Sequence, residues 1–158
     1  MYCRFATFLL GLLISTIAFS QTPAIQFQHA MGGSLDDISY DVVVTQDGGY
    51  LVAGGSTSSD GDLLKTAEVQ HGGNYDFWFA KLDPALNFQW KKHLGGTGSD
   101  LASSCLQAPD GGYFIGGSTS SNDVDVSGNH SDDFDFWIVK LFSSGSVQWK
   151  KCFGGTNY

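Results

Sequence analysis

The chain has 158 residues, room for one ordinary domain with a sizeable core, and a formal net charge of −8. Eight basic residues against sixteen acidic ones do not make the clustered cations that nucleic-acid phosphates need, which excludes nucleic acid as a partner class. Glycine, at 21 residues, is about twice its usual share, against three prolines, so short strands joined by tight turns, an all-β fold, are expected.

The first element is an address. Arg4 precedes an apolar run from Phe5 to Phe19, followed by small Ser20 and polar Gln21. This order reads as a cleavable signal peptide over residues 1–20, and the run is short for a membrane span of roughly 20 residues. Cleavage removes Arg4 and Cys3 and leaves a secreted or cell-surface product without a stable membrane span. Cys105 and Cys152 remain; either they pair in an oxidising compartment or they stand as half-buried strand residues.

Beyond the signal the chain repeats itself. At an offset of 63, Gly32-Gly33 matches Gly95-Gly96, Asp37 matches Asp100, and Asp47-Gly48-Gly49-Tyr50 matches Asp110-Gly111-Gly112-Tyr113. Later the offset is 59: Asp76-Phe77-Trp78 matches Asp135-Phe136-Trp137, Lys81-Leu82 matches Lys140-Leu141, and Gln89-Trp90-Lys91-Lys92 matches Gln148-Trp149-Lys150-Lys151. The drift places a loop of variable length between the GGSTSS phrases and DFW. A leading strand is expected over residues 21–33, where Gln26-Phe27 stands in the place of Gln-Trp. A first repeat spans 34–96, a second 97–155, and 156–158 begin a third that is cut short.

Each unit reads as a four-stranded antiparallel meander. In the first, strands are expected at 39–46, 50–57, 75–83 and 88–95; in the second at 103–108, 113–119, 135–142 and 147–154. Asp-Gly-Gly between apolar runs is a hairpin signal, because those residues accept positive φ. Alternation along DFW puts Trp78, Ala80 and Leu82 on one face and Phe77 and Phe79 on the other, and the second unit does the same with Trp137, Val139 and Leu141 opposite Phe136 and Ile138. Both faces are apolar and both need cover, which favours β-propeller blades. The competing two-sheet sandwich would show one polar face on most strands.

The order Q-W-K-K-x-x-G-G, then Asp, D-G-G-Y, G-G-S-T-S-S, D-F-W-x-x-K-L and again Q-W-K-K resembles the repeat of exported bacterial β-propeller proteins of the kind often carried by the type IX secretion system. The resemblance covers residues 25–158. It implies a secreted or cell-surface propeller, of which this chain is an N-terminal fragment of two blades plus a leading strand, and it brings no catalytic residues with it.

Candidate chemistry lies in the loops. Asp123, Asp125 and Ser127 alternate before Gly128, the opening of a calcium loop in which oxygens at positions one, three and five surround the ion. Position twelve is Phe134, so Asp132, Asp133 or Asp135 would have to replace the usual glutamate. The first unit offers only Asp60-Gly61-Asp62, and a solvated Asp/Asn/Gly turn is the plainer reading. His71 and His130 lie in equivalent loops, and His29 and His93 in equivalent terminal strands, but no spacing demands a metal. Asp36-Asp37 and Asp132-Asp133 are carboxylate pairs whose place beside Gly-Gly suggests turn capping. Asn129-His130-Ser131 fits a glycosylation sequon. Trp78, Trp90, Trp137 and Trp149 recur at strand positions, where core packing outweighs a sugar-stacking platform. The expected function is a non-catalytic interaction module taking a protein or glycan ligand, with exposed blade faces open to self-association. The alternative is a secreted polysaccharide hydrolase with carboxylates converging between blades.

Overall fold

The computed structural model describes residues 24–63, 74–130 and 133–155. The expected signal peptide, His71, Ser131, Asp132 and the start of a third unit lie outside the described residues. Eight strands form: β1 (Asp37–Val44), β2 (Tyr50–Ser56), β3 (Asp76–Leu82), β4 (Phe88–Leu94), β5 (Asp100–Gln107), β6 (Tyr113–Thr119), β7 (Asp135–Leu141) and β8 (Val147–Phe153). They build two antiparallel four-stranded sheets in the orders β1-β2-β3-β4 and β5-β6-β7-β8. The fold is all-β, two successive meanders, with no α-helix among the described residues.

The repeated motifs are the fastenings of these meanders. In the D-G-G-Y hairpins, Gly48 and Gly111 take φ of 79° and 81°, a conformation open to glycine at no steric cost. Asp47 accepts the Gly49 N–H at 3.1 Å, and Asp110 accepts the Gly112 N–H at 2.9 Å. The same carboxylates reach across to the third strand. Lys81 Nζ donates to Asp47 at 2.8 Å and to the Leu82 carbonyl at 2.9 Å, while Lys140 Nζ donates to Asp110 at 2.8 Å. D-G-G-Y and K-L therefore recur together because one holds the other.

The paired glycines have a different cause. β1 bulges between Ser39 and Asp41, and β5 between Ala102 and Ser104. The bulged strand leans on the facing residue of the next, so that a Cβ on Gly54 would run into the Ile38 carbonyl, and one on Gly117 into the Leu101 carbonyl. Only glycine fits such a bulge without displacing backbone. A second pair of bulges makes Gln89 and Gln148 the unpaired residues of β4 and β8.

The sheets stack face to face. One core holds Leu51, Ala53, Phe77, Phe79 and Leu94 of the first sheet with Ala102, Cys105, Tyr113, Ile115, Trp137, Val139, Leu141 and Cys152 of the second. The rings of Phe77 and Trp137 sit 4.6 Å apart, and Trp90 meets Tyr113 edge-on at 5.4 Å. Across this seam Asp41 accepts the Cys105 N–H at 2.8 Å and Gln107 accepts the Gln46 N–H at 2.7 Å. A smaller cluster, Val52, Trp78, Ala80 and Leu82, covers the other face of the first sheet, with Met31 laid against it.

Three expectations are corrected. Residues 24–33, expected as part of a leading strand, pair with no ladder. Their counterparts β4 and β8 pair with β3 and β7, and each of those edges is already taken. Cys105 and Cys152 are free thiols and fully rather than half buried, at 4% and 6% exposure, because both face the seam between the sheets. Trp149, expected in a core, is 41% exposed, on a sheet face that no second sheet covers among the described residues.

Candidate interaction face

A meander sends its turns to two ends. The DGG hairpins and the β3–β4 and β7–β8 turns lie at one, and the β2–β3, β4–β5 and β6–β7 connections at the other. The second end carries the loops of variable length and the acidic residues singled out above.

A clasp built on one carboxylate shapes this end in each unit. Asp37 opens β1 and accepts the Gly33 N–H at 2.7 Å and the hydroxyls of Ser56 at 2.5 Å and Ser58 at 3.0 Å. Asp100 opens β5 and accepts the Gly96 N–H and the Ser121 hydroxyl, each at 2.8 Å, and the Thr119 hydroxyl. Turn capping accounts for the Asp beside Gly-Gly, as anticipated. Asp100 is wholly buried, and burial raises its carboxyl above the ordinary value, against the pull of its three donors.

The candidate calcium residues belong to the same construction. Asp123 accepts the Thr97 N–H at 2.8 Å and the Thr97 hydroxyl at 2.7 Å, which holds its carboxyl below the ordinary value. Asp125 pairs with Lys150 at 2.9 Å, and its own N–H donates to the Gly95 carbonyl at 3.0 Å. Ser127 is exposed. The first unit repeats the arrangement: Asp60 accepts the Ser34 N–H at 2.8 Å and the Asp62 N–H donates to the Gly32 carbonyl at 3.0 Å. Even the backbone matches, with Gly61 at φ 64° and Val124 at φ 57°. The D-x-D spacing is thus accounted for by closure of each loop onto its Gly-Gly turn. Among the described residues no group of three or more His, Cys, Asp or Glu gathers about one point.

What differs between the units is the stretch after the clasp. Asn129, buried at 8% exposure, donates to the Ser121 carbonyl at 3.1 Å and pins the second loop back on itself. His130 Nδ1 lies 2.7 Å from Asp135, and the His130 N–H donates to the same oxygen at 2.9 Å. These bonds hold the Asp135 carboxyl below the ordinary range. Between the loop and the β4–β5 connection is a polar cleft of about 480 Å³, lined by Thr97, Gly98, Ser120, Ser121, Asn122, Asp123, Asn129 and His130. The sequence marked Asp123 and His130, and Asn129 only as the head of a glycosylation sequon; Thr97 it did not mark, since its only signal is a Thr inside a loop. His29 and His93 do not make an equivalent pair: His29 lies outside any strand, with its ring edge-on to Phe88 at 6.2 Å, while His93 stands opposite Trp78 in β4.

No protein-family model matches the chain, and no curated protein matches it. Among the described residues no helix is long and apolar enough to cross a membrane.

Proposed function

We propose that the chain is an exported β-propeller-type repeat module, non-catalytic, which presents the loop end of its sheets to a protein or glycan ligand. The observation that carries this reading is the fate of the repeated polar residues. Asp37 and Asp100, Asp47 and Asp110, Lys81 and Lys140, Asp60 and Asp123 are bonded in matching geometry within hairpins, clasps and loop closures. The repeated residues are scaffold, which among the described residues leaves the cleft beside Asn122, Asn129 and His130 as the candidate ligand surface. Hydroxyl, amide and imidazole groups around an open polar hollow suit hydrogen-bonding ligands such as sugars or peptide backbone. Export and the type IX route rest on residues 1–20 and on the repeat resemblance.

A glycan array and a screen for release of reducing ends test the reading on the same protein. Binding without turnover, lost on Asn122→Ala or His130→Ala, is expected. Release of reducing ends would overturn it in favour of a polysaccharide hydrolase.

A further inference from the structure

Among the described residues each sheet has two apolar faces but only one neighbouring sheet, and the seam between them has a direction. The Phe77 and Phe79 face of the first sheet meets the Trp137, Val139 and Leu141 face of the second, so equivalent sheets stack head to tail. The outer face of the second sheet repeats the first half of that seam. Phe136 and Phe153 lie opposite each other on it at 51% and 42% exposure, where Phe77 and Leu94 are buried in the first sheet. Trp149, edge-on to Phe114 at 5.8 Å, stands where Trp90 stands. The outer face of the first sheet repeats the other half, with Trp78, Ala80 and Leu82 in the places of Trp137, Val139 and Leu141.

We infer that a second copy of the chain docks the Trp78 face of its first sheet on the Phe136 face of this one, continuing the internal seam head to tail. This rests on the stacked-blade part of the reading above and not on its ligand. The argument is continuity with an interface the molecule already uses: Trp78 of the incoming copy takes the position of Trp137, and Phe136 that of Phe77. Two features set its strength. Ahead of the Gly32-Gly33 clasp, residues 24–31 join no ladder and are exposed except for half-buried Met31, with His29 and Met31 beside a hollow of about 400 Å³ against Val42, Val52 and Trp78, so docking displaces a cover that no ladder holds. Gly145 sits so close to Trp90 that a Cβ would lie 2.6 Å from the indole, and its counterpart in the first sheet is Leu86, at φ 65°. The incoming Leu86 therefore presses on Trp149, and removing its side chain strengthens the contact. Because the two faces differ, each docking leaves another pair of free faces, and association passes beyond a dimer to a closed ring or an open stack.

Sedimentation velocity of the 158-residue chain over about two decades of concentration tests this. A mass that grows past the dimer is expected, with Leu86→Gly lowering the apparent dissociation constant about tenfold. Phe136→Lys and Val42→Lys, both at exposed positions, one on each docking face, should each raise it about a hundredfold, with cooperative unfolding of the monomer retained. A chain that stays monomeric, with Leu86→Gly equally monomeric, would sink the proposal. So would association that stops at a dimer and ignores Val42→Lys, since that is the Phe136 face pairing with itself. The readout is mass, so either failure leaves the glycan and hydrolysis results to decide the ligand reading separately.

Discussion

The third strands of the two sheets, β3 and β7, carry nearly the same residues and have different fates. In β3, DFWFAKL, every residue is buried; in β7, DFWIVKL, Phe136 is half exposed while Trp137, one residue along, is sealed. Composition and alternation do not distinguish them. Position in the stack does, because β3 lies between the second sheet and the segment carrying His29 and Met31, and among the described residues β7 has a neighbouring sheet on one side. The hydrophobic effect rewards area removed from water, not apolar identity. The comparison yields a graded set of tests.

The largest effect is expected at the seam. Trp137→Ala removes a wholly buried indole and leaves a cavity, costing about 4 kcal/mol in urea unfolding, while Phe136→Ala costs under about 1 kcal/mol because half its surface is already wet. Equal costs for the two would mean that the sheets do not stack in solution as described.

The hairpin fastenings come next. Asp47→Ala leaves the Lys81 ammonium buried with the Leu82 carbonyl as its remaining acceptor; since Asp47 itself is half exposed, the cost is about 2 kcal/mol, short of that for a sealed pair. Asp110→Ala costs less, because Lys140 keeps the Phe114 ring, 4.7 Å from its Nζ. A double comparison by thermal or chemical unfolding sharpens the contrast between units that look identical as motifs.

The smallest effect is the pH profile. The Asp47, Asp110, Asp123 and Asp135 carboxyls are held below their ordinary value of 3.8, chiefly by hydrogen bonds from Lys81, Lys140, Thr97 and His130. Their stabilisation is fully present above that value and is lost as pH falls through the lowered ones. Asp100 runs the other way: burial raises its carboxyl, so its contribution is present below 3.8 and is lost as pH rises through the raised value. Melting temperatures from about pH 2 to pH 8 should fall on acidification, less steeply in Asp47→Asn, and Asp100→Asn should remove a shallow decline toward neutrality. A wild-type profile that does not fall on acidification would show these carboxylate bonds are not made.

Much of this fold is legible in the residues. β6 has the expected bounds, and the other strands fall within three residues of theirs. The strands that begin early, β1 and β5, do so because Asp37 and Asp100 are at once clasp and first ladder residue, and an Asp beside Gly-Gly reads as turn. The phrase GGSTSS misleads. It begins at Gly54 in one unit and Gly116 in the other, yet the bulges align Gly54 with Gly117 and the clasps align Ser56 with Thr119, one place out of step with the words. The physical requirement is glycine under a bulge and a hydroxyl beside the carboxylate, and Ser and Thr both meet the second. The D-x-D spacing was legible as a candidate calcium loop while its part in loop closure was not, because closure and cation binding draw on the same carboxylate oxygens. Which face of one sheet meets which face of the other was not readable, since all four faces are apolar.

Cys105 and Cys152 sit inside the seam, and burial together with the nearby Asp41 pushes the Cys105 thiol up to about 12. A thiol that is neither exposed nor ionised does not react with alkylating or disulfide reagents until its surroundings part. The second sheet therefore carries two built-in clocks on the face that meets the first, and the rate at which a thiol reagent consumes them reports how often the sheets separate or unfold, without a single label or substitution introduced.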